Sequence, residues 1–153
     1  PGGGEYEYPE LSAIFKYIDD NYGTAELLKQ KFGKPKKITR TKPAELGEDL
    51  VRADTYYYDG FTASFIINAR LNKSWGLDEF IVTGNSDILF NGVHLGSDKS
   101  YVAAVAGRPK SRNYLRRKSN SVTLSVDDSY IRFKLKSGKV VEMDHYGAIA
   151  QDY

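Results

Sequence analysis

The only imidazoles in this 153-residue chain are His94 and His145, and it contains no cysteine. A thiol nucleophile, thiolate metal sites and a disulfide scaffold are therefore excluded. Serine chemistry needs a base held beside the hydroxyl. No Gly-x-Ser-x-Gly turn occurs, and His94 falls at the entry to a short helix. His145 sits in a strand-like run next to Asp144, and adjacent strand residues point to opposite faces. The pair therefore does not read as a base with its orienter. Asp19-Asp20 and Asp127-Asp128 suit a helix end and a turn better than a coordination shell, and no calcium-loop spacing appears. Gly2-Gly3-Gly4 has no strand before it, so it is not a nucleotide fingerprint. The expectation is a protein that is not an enzyme, with no metal and no cofactor. A carboxylate pair assembled by the fold is the enzymatic alternative.

Two other features could do binding chemistry. Although the net charge is only +2, two short segments concentrate the basic residues. Lys34, Lys36, Lys37, Arg40 and Lys42 form one, and Arg108, Lys110, Arg112, Arg116, Arg117 and Lys118 form the other. Read as loops, they could meet nucleic acid, anionic lipid or an acidic protein. Solvated arms are the bland alternative. The second feature is aromatic. The chain has 12 tyrosines, and Tyr56-Tyr57-Tyr58 lies in a strand-like run with Phe61 and Trp75 nearby. Alternation sends Tyr56 and Tyr58 to one face and Tyr57 to the other. Tyr56, Tyr58 and Trp75 are the candidate anchors of a partner-binding aromatic face, and Lys36, Lys37, Arg40, Arg112, Arg116 and Arg117 are the candidate basic-loop contacts.

The elements that must position these residues follow from periodicity. Leu11, Ile14, Phe15 and Ile18 recur at helical spacing after Pro9. Thr24 is a good N-cap for a second helix carrying Leu27, Leu28 and Phe32, with Gly33 as its stop. Ala53–Tyr58 and Phe61–Leu71 read as strands joined by Asp59-Gly60, a strong hairpin signal. Asp78–Thr83 reads as a further strand. Gly96-Ser97-Asp98 opens a short helix with Tyr101, Val102 and Val105 that stops at Gly107. Val122–Val126, Tyr130–Lys136 and Val140–His145 complete the strand set, the last two joined at Ser137-Gly138. No apolar run reaches the roughly 20 residues of a membrane-spanning helix.

The two halves share landmarks in order: a Gly-basic-Pro helix stop (Gly33-Lys34-Pro35, Gly107-Arg108-Pro109), a basic segment, a strand, an acidic turn and another strand. The expected organisation is a flexible leader at 1–8, a first repeat at 9–91 and a second at 92–153, forming one compact unit. Gly92-Val93-His94-Leu95-Gly96-Ser97-Asp98-Lys99-Ser100-Tyr101-Val102, running into Gly107-Arg108-Pro109, resembles the opening of small bacterial envelope proteins. Tyr130–Met143 resembles their closing hairpin. These are the outer-membrane lipoprotein family of barrel-assembly accessories and the beta-lactamase-inhibitor-protein family, the latter with two tandem copies. The chain departs from the inhibitors in lacking cysteine, and none of their contact residues carries over.

The fold class expected is α+β: two tandem helix-then-antiparallel-sheet units forming one sheet with helices on one face. The resemblance implies a non-catalytic protein-binding module of the cell envelope or secreted space, with a cytoplasmic setting as the alternative. Its partner is expected to be a protein, and the basic loops would steer an acidic one. An inhibitor or immunity protein against a toxin or hydrolase, and a nucleic-acid binder using the basic loops, are the alternative functions.

Overall fold

The computed structural model describes residues 9–106, 114–118 and 120–147. Three helices, α1 (Pro9–Tyr22), α2 (Ala25–Phe32) and α3 (Lys99–Ala106), accompany nine strands among these residues. The strands are β1 (Lys37–Arg40), β2 (Ala44–Leu46), β3 (Asp49–Tyr58), β4 (Phe61–Asn68), β5 (Lys73–Val82), β6 (Tyr114–Lys118), β7 (Ser121–Val126), β8 (Ser129–Lys136) and β9 (Lys139–Tyr146). They form one antiparallel sheet in the order β1-β3-β4-β5-β9-β8-β7-β6, with β2 also paired to β3. The α+β class holds, and the strand order runs outward from the β5–β9 pair in reverse chain order on both sides.

Local chemistry explains the elements. The Thr24 hydroxyl accepts from the Leu27 N–H at 3.1 Å, capping α2. Gly33 ends α2 at φ 80°, where a side chain is disfavoured. Asp59-Gly60 turns β3 into β4. Gly60 has φ +80°, and a Cβ there would lie 2.6 Å from the Gly84 carbonyl carbon. Glycine is needed at this turn on both counts. The Gly60 carbonyl also accepts from the N–H groups of Thr83 and Gly84, tying the turn to the end of β5.

Antiparallel register alternates the sheet between two chemistries. One row across the strands reads Ile38, Tyr56, Ala63, Phe80, His145, Ile131 and Leu124. This is the face on which the described helices pack. Ile14 and Ile18 of α1, Leu28 of α2 and Val102 of α3 join Tyr56, Tyr58, Phe61, Phe80, Ile131 and Phe133 in one core. Phe32 packs its ring 4.8 Å from Phe61 and 6.0 Å from Tyr58. Burying such side chains is worth about 1.5–3 kcal/mol each.

Both basic segments differ from the loops expected of them. Lys37 and Arg40 belong to β1, at one end of the strand order, and Arg116 and Arg117 to β6, at the other. They are sheet edges, at opposite ends, and they do not converge. Charged residues suit an edge strand because they discourage pairing with a second chain. Arg112, the leader at 1–8 and the Gly107-Arg108-Pro109 stop lie outside the described residues.

Candidate functional site

The uncovered face follows from the same register. One row runs Lys37, Tyr57, Thr62, Ile81, Asp144, Arg132, Thr123 and Arg116. The next runs Thr39, Thr55, Ser64, Glu79, Tyr146, Tyr130, Ser125 and Tyr114. No described helix packs on these rows. At about 4.8 Å per strand spacing, eight strands present a surface about 34 Å wide. Antiparallel sheets tolerate one such polar face.

Its first half is rich in hydroxyls, and its rows carry Lys37 and Glu79 as their charged residues. Thr55 and Ser64 hydroxyls hydrogen-bond at 2.6 Å. With Thr41, Tyr57, Thr62, Ile66 and Glu79 they line a shallow groove of about 420 Å³. The Lys37 ammonium lies 4.6 Å from the Tyr57 ring centre, a cation–π contact on this face.

Its second half is a charged cluster framed by tyrosines. Tyr130 and Tyr146 stack at 4.8 Å, and the Arg132 guanidinium lies 6.0 Å from the Tyr146 ring. Arg132 Nη2 donates to Asp144 Oδ2 at 3.3 Å, and Lys134 pairs with Glu142 at 2.9 Å. Asp144 has no exposed surface. Burial, and then the neighbouring Glu142 carboxyl, pushes Asp144 up to about 7 against the pull of Lys134 and Arg132. Burial acts to raise Glu142 as well, but hydrogen bonds to Asp144 and Lys134 hold it below its ordinary value.

The two histidines part company. His145 lies on the helix side, edge-on to Phe15 at 6.0 Å, and burial lowers it to about 4. It and Asp144 face opposite sides of the sheet, as alternation requires. His94 is exposed, its Nδ1 2.7 Å from the Leu95 carbonyl oxygen.

Two of the three expected aromatic anchors need correction. Tyr56 and Tyr58 are 8% and 9% exposed and belong to the helix-packed core. Tyr56 packs edge-on to Phe65 at 5.6 Å, and Tyr58 stacks on Phe61 at 4.8 Å. The Tyr58 hydroxyl donates to the Gly33 carbonyl at 2.9 Å, joining β3 to the end of α2. The member of the triplet on the uncovered face is Tyr57, which is half-buried. Trp75 is 44% exposed and lines a depression with Ile66, Gly76 and Leu77.

The first basic segment is also less free than its charge suggests. Lys36 pairs with Asp59, and Arg40 Nε is 3.3 Å from Asp54. Lys37 is engaged by Tyr57 as above. Of the second segment, Arg116 sits opposite Thr123 and Arg117 opposite Val122. Sequence reading missed Tyr130, Arg132 and Tyr146. Their signal was the shared parity of Tyr130-x-Arg132 on one strand and Tyr146 on the next.

No group of three or more His, Cys, Asp or Glu side chains that could hold a metal occurs among the described residues. Among the described residues no helix is long and apolar enough to cross a membrane.

No family model matches the chain, and no curated protein matches it. Two solved structures show a distant likeness. One is a cysteine-rich secretory protein from Staphylococcus aureus, at 9% identity and TM-score 0.43, covering 79% of this chain and 42% of that one. The other is a "putative beta-lactamase inhibitor protein" from Streptococcus mutans, at 13% identity and TM-score 0.27, covering 90% of this chain and 97% of that one. The chain thus spans less than half the length of the staphylococcal protein. Likenesses at these scores carry no functional argument.

Proposed function

We propose that this chain is a non-catalytic protein-binding module whose docking surface is the uncovered face of its sheet. The observation that carries the reading is the pair of rows crossing the sheet, with described side chains on seven of its strands and no described helix over them. Tyr57, Tyr130 and Tyr146 give that face rigid amphipathic area, and Arg132 adds a planar donor beside them; Tyr, Trp and Arg are the residue types that dominate binding hot spots. A standard interface needs about 800 Å² per partner, and a surface about 34 Å wide can supply it.

Two observations support a non-catalytic reading over an enzymatic one. His145 is sealed into the core against Phe15. Asp144, the carboxyl with the most perturbed titration, has no exposed surface for a substrate atom to reach. Its partners Arg132 and Lys134 make it a buried node that holds the tyrosine frame in place. The finer parts of the proposal are an acidic partner, steered by the basic edges, and an envelope or secreted setting. The outward strand order, alike on both sides of β5–β9, supports an origin of the two halves by duplication.

The test uses Tyr57→Ala, Arg132→Ala and Trp75→Ala in affinity capture against extracts of the source organism, with circular dichroism as a check on folding. A folded Tyr57→Ala or Arg132→Ala variant should lose a partner that the unaltered chain retains. Undiminished recovery with all three would reject the face assignment.

A further inference from the structure

We propose that the hollow between the start of α2 and the helix-side surface of β1, β3 and β4 binds an organic carboxylate carried on a short apolar body. This site is on the side of the sheet opposite the proposed docking face, and neither reading depends on the other.

The hollow has a volume of about 310 Å³. That is at the low end for ligand sites and suits a ligand the size of one amino-acid residue. Its floor is apolar: Tyr56, Phe65 and Ile67, each under a tenth exposed. Its wall is a cationic arrangement around one acid. Asp54, 4% exposed, accepts from Arg52 Nε at 2.8 Å, Arg52 Nη2 at 3.3 Å and Arg40 Nε at 3.3 Å. Two guanidiniums share one carboxylate, so the trio keeps one net positive charge.

Arg52 Nη2 also donates to Asn72 Oδ1 at 2.7 Å, which fixes the guanidinium plane. The terminal nitrogens of Arg40, Nη1 of Arg52 and the Asn72 amide nitrogen make no hydrogen bond among the described residues. The Arg40 side chain is 55% exposed and that of Arg52 19%, so the Arg40 terminal nitrogens are the more accessible of the guanidinium donors. Thr24 and Ala25 bring the α2 start to the rim; its Leu27 N–H is taken by the Thr24 hydroxyl, and the N–H groups before it have no intrahelical acceptor. The helix dipole adds to the attraction for an anion there.

Donors therefore outnumber acceptors. Asp54 is already spent on the arginines, and among the described lining residues Glu26 at the rim is the carboxylate that opposes an incoming anion. A carboxylate fits the planar, paired donors of a guanidinium, and the apolar floor selects what it is attached to. A small free acid and the C-terminal residue of a polypeptide share this chemistry.

Backbone-amide NMR titration of the full chain distinguishes them. The probes are 4-methylpentanoate, a pentapeptide ending in leucine with a free carboxylate, and the same peptide amidated. Saturable shifts are expected at residues 24–26, 52–56 and 72–74 with at least one of the two acids and not with the amide. Saturation with 4-methylpentanoate makes a small acid sufficient. Saturation with the free-acid peptide alone assigns the site to a chain terminus. Arg40→Gln should weaken binding about tenfold. Glu26→Gln should strengthen it by a few-fold, so the two variants move in opposite directions, and the second tests the idea even where the first is poorly folded. The proposal is overturned if neither acid saturates by on the order of 10 mM, if the amide binds as well as the acid, or if folded Arg40→Gln binds unchanged.

Discussion

Asp144 and His145 are adjacent in β9, face opposite sides of the sheet, and oppose each other in how stability depends on pH. Asp144 moves from an ordinary 3.8 up to about 7, so the folded chain holds its proton more tightly than the unfolded chain does. Its contribution is fully present below pH 4 and is lost as pH rises through 7. His145 moves from 6.5 down to about 4, so the folded chain resists its proton. Its contribution is present above pH 6.5 and is lost as pH falls through 4. At about 1.4 kcal/mol per pH unit, the Asp144 shift is worth at most about 4.5 kcal/mol and the His145 shift at most about 3.5 kcal/mol. Glu142, shifted the other way, returns part of the Asp144 effect. That brings the two contributions to a comparable size, about 3 kcal/mol each, with opposite slopes between pH 4.5 and 6.5.

The unaltered protein should therefore show nearly flat stability across that window, and single substitutions should unmask one slope each. Asp144→Asn should leave stability rising with pH as His145 loses its proton. His145→Leu should leave it falling as Asp144 ionises. Urea denaturation at four pH values from 4.5 to 7.5 measures both. A wild-type curve that rises steeply, or two variants with slopes of the same sign, would refute the assignment of these environments.

The tyrosine triplet should split by face. Tyr56→Ala should cost about 3–5 kcal/mol by opening the core, whereas Tyr57→Ala should stay within about 0.5 kcal/mol, both measured by thermal or urea unfolding. Gly60→Ala should destabilise by about 2 kcal/mol or more, because φ +80° and the Gly84 backbone both oppose a Cβ; an unchanged midpoint would contradict this. Replacing Arg116 and Arg117 on β6 with Thr should remove the charge that guards this edge and produce concentration-dependent self-association in light scattering.

The parts of the fold that came through in the sequence are those set by local chemistry. Thr24 and Gly33 bound α2 because a cap and a positive-φ stop need those residue types. Asp59-Gly60 marks the β3–β4 hairpin for the same reason. β1 and β2 were not legible: four and three residues long, rich in Lys, Thr and Glu and separated by Pro43, they have no apolar alternation to detect. β6 was hidden for a similar reason, since an edge strand such as Tyr114-Leu-Arg-Arg-Lys is charged.

Alternation correctly separated Tyr57 from Tyr56 and Tyr58, and Asp144 from His145. Which of the two faces is covered is decided by Phe32 and Ile18 landing on the Tyr58 side, a long-range outcome that spacing does not encode. The early part of β5 was missed because register shifts between Ser64/Phe65 and Ile66/Ile67 break its pairing with β4. This is why Trp75 could not be assigned a position from alternation.

Photo-crosslinking most directly tests whether the uncovered face is where a protein docks. A photoreactive phenylalanine analogue is placed singly at Tyr57 and Thr123 on that face, and at Lys16 and Tyr101 on the helix side, in folded protein exposed to extracts of the source organism. Adducts to the same protein from Tyr57 and Thr123 only, abolished by excess unlabelled chain, are the result expected. Adducts from the helix-side positions alone, or none from the sheet face that competitor removes, would contradict it.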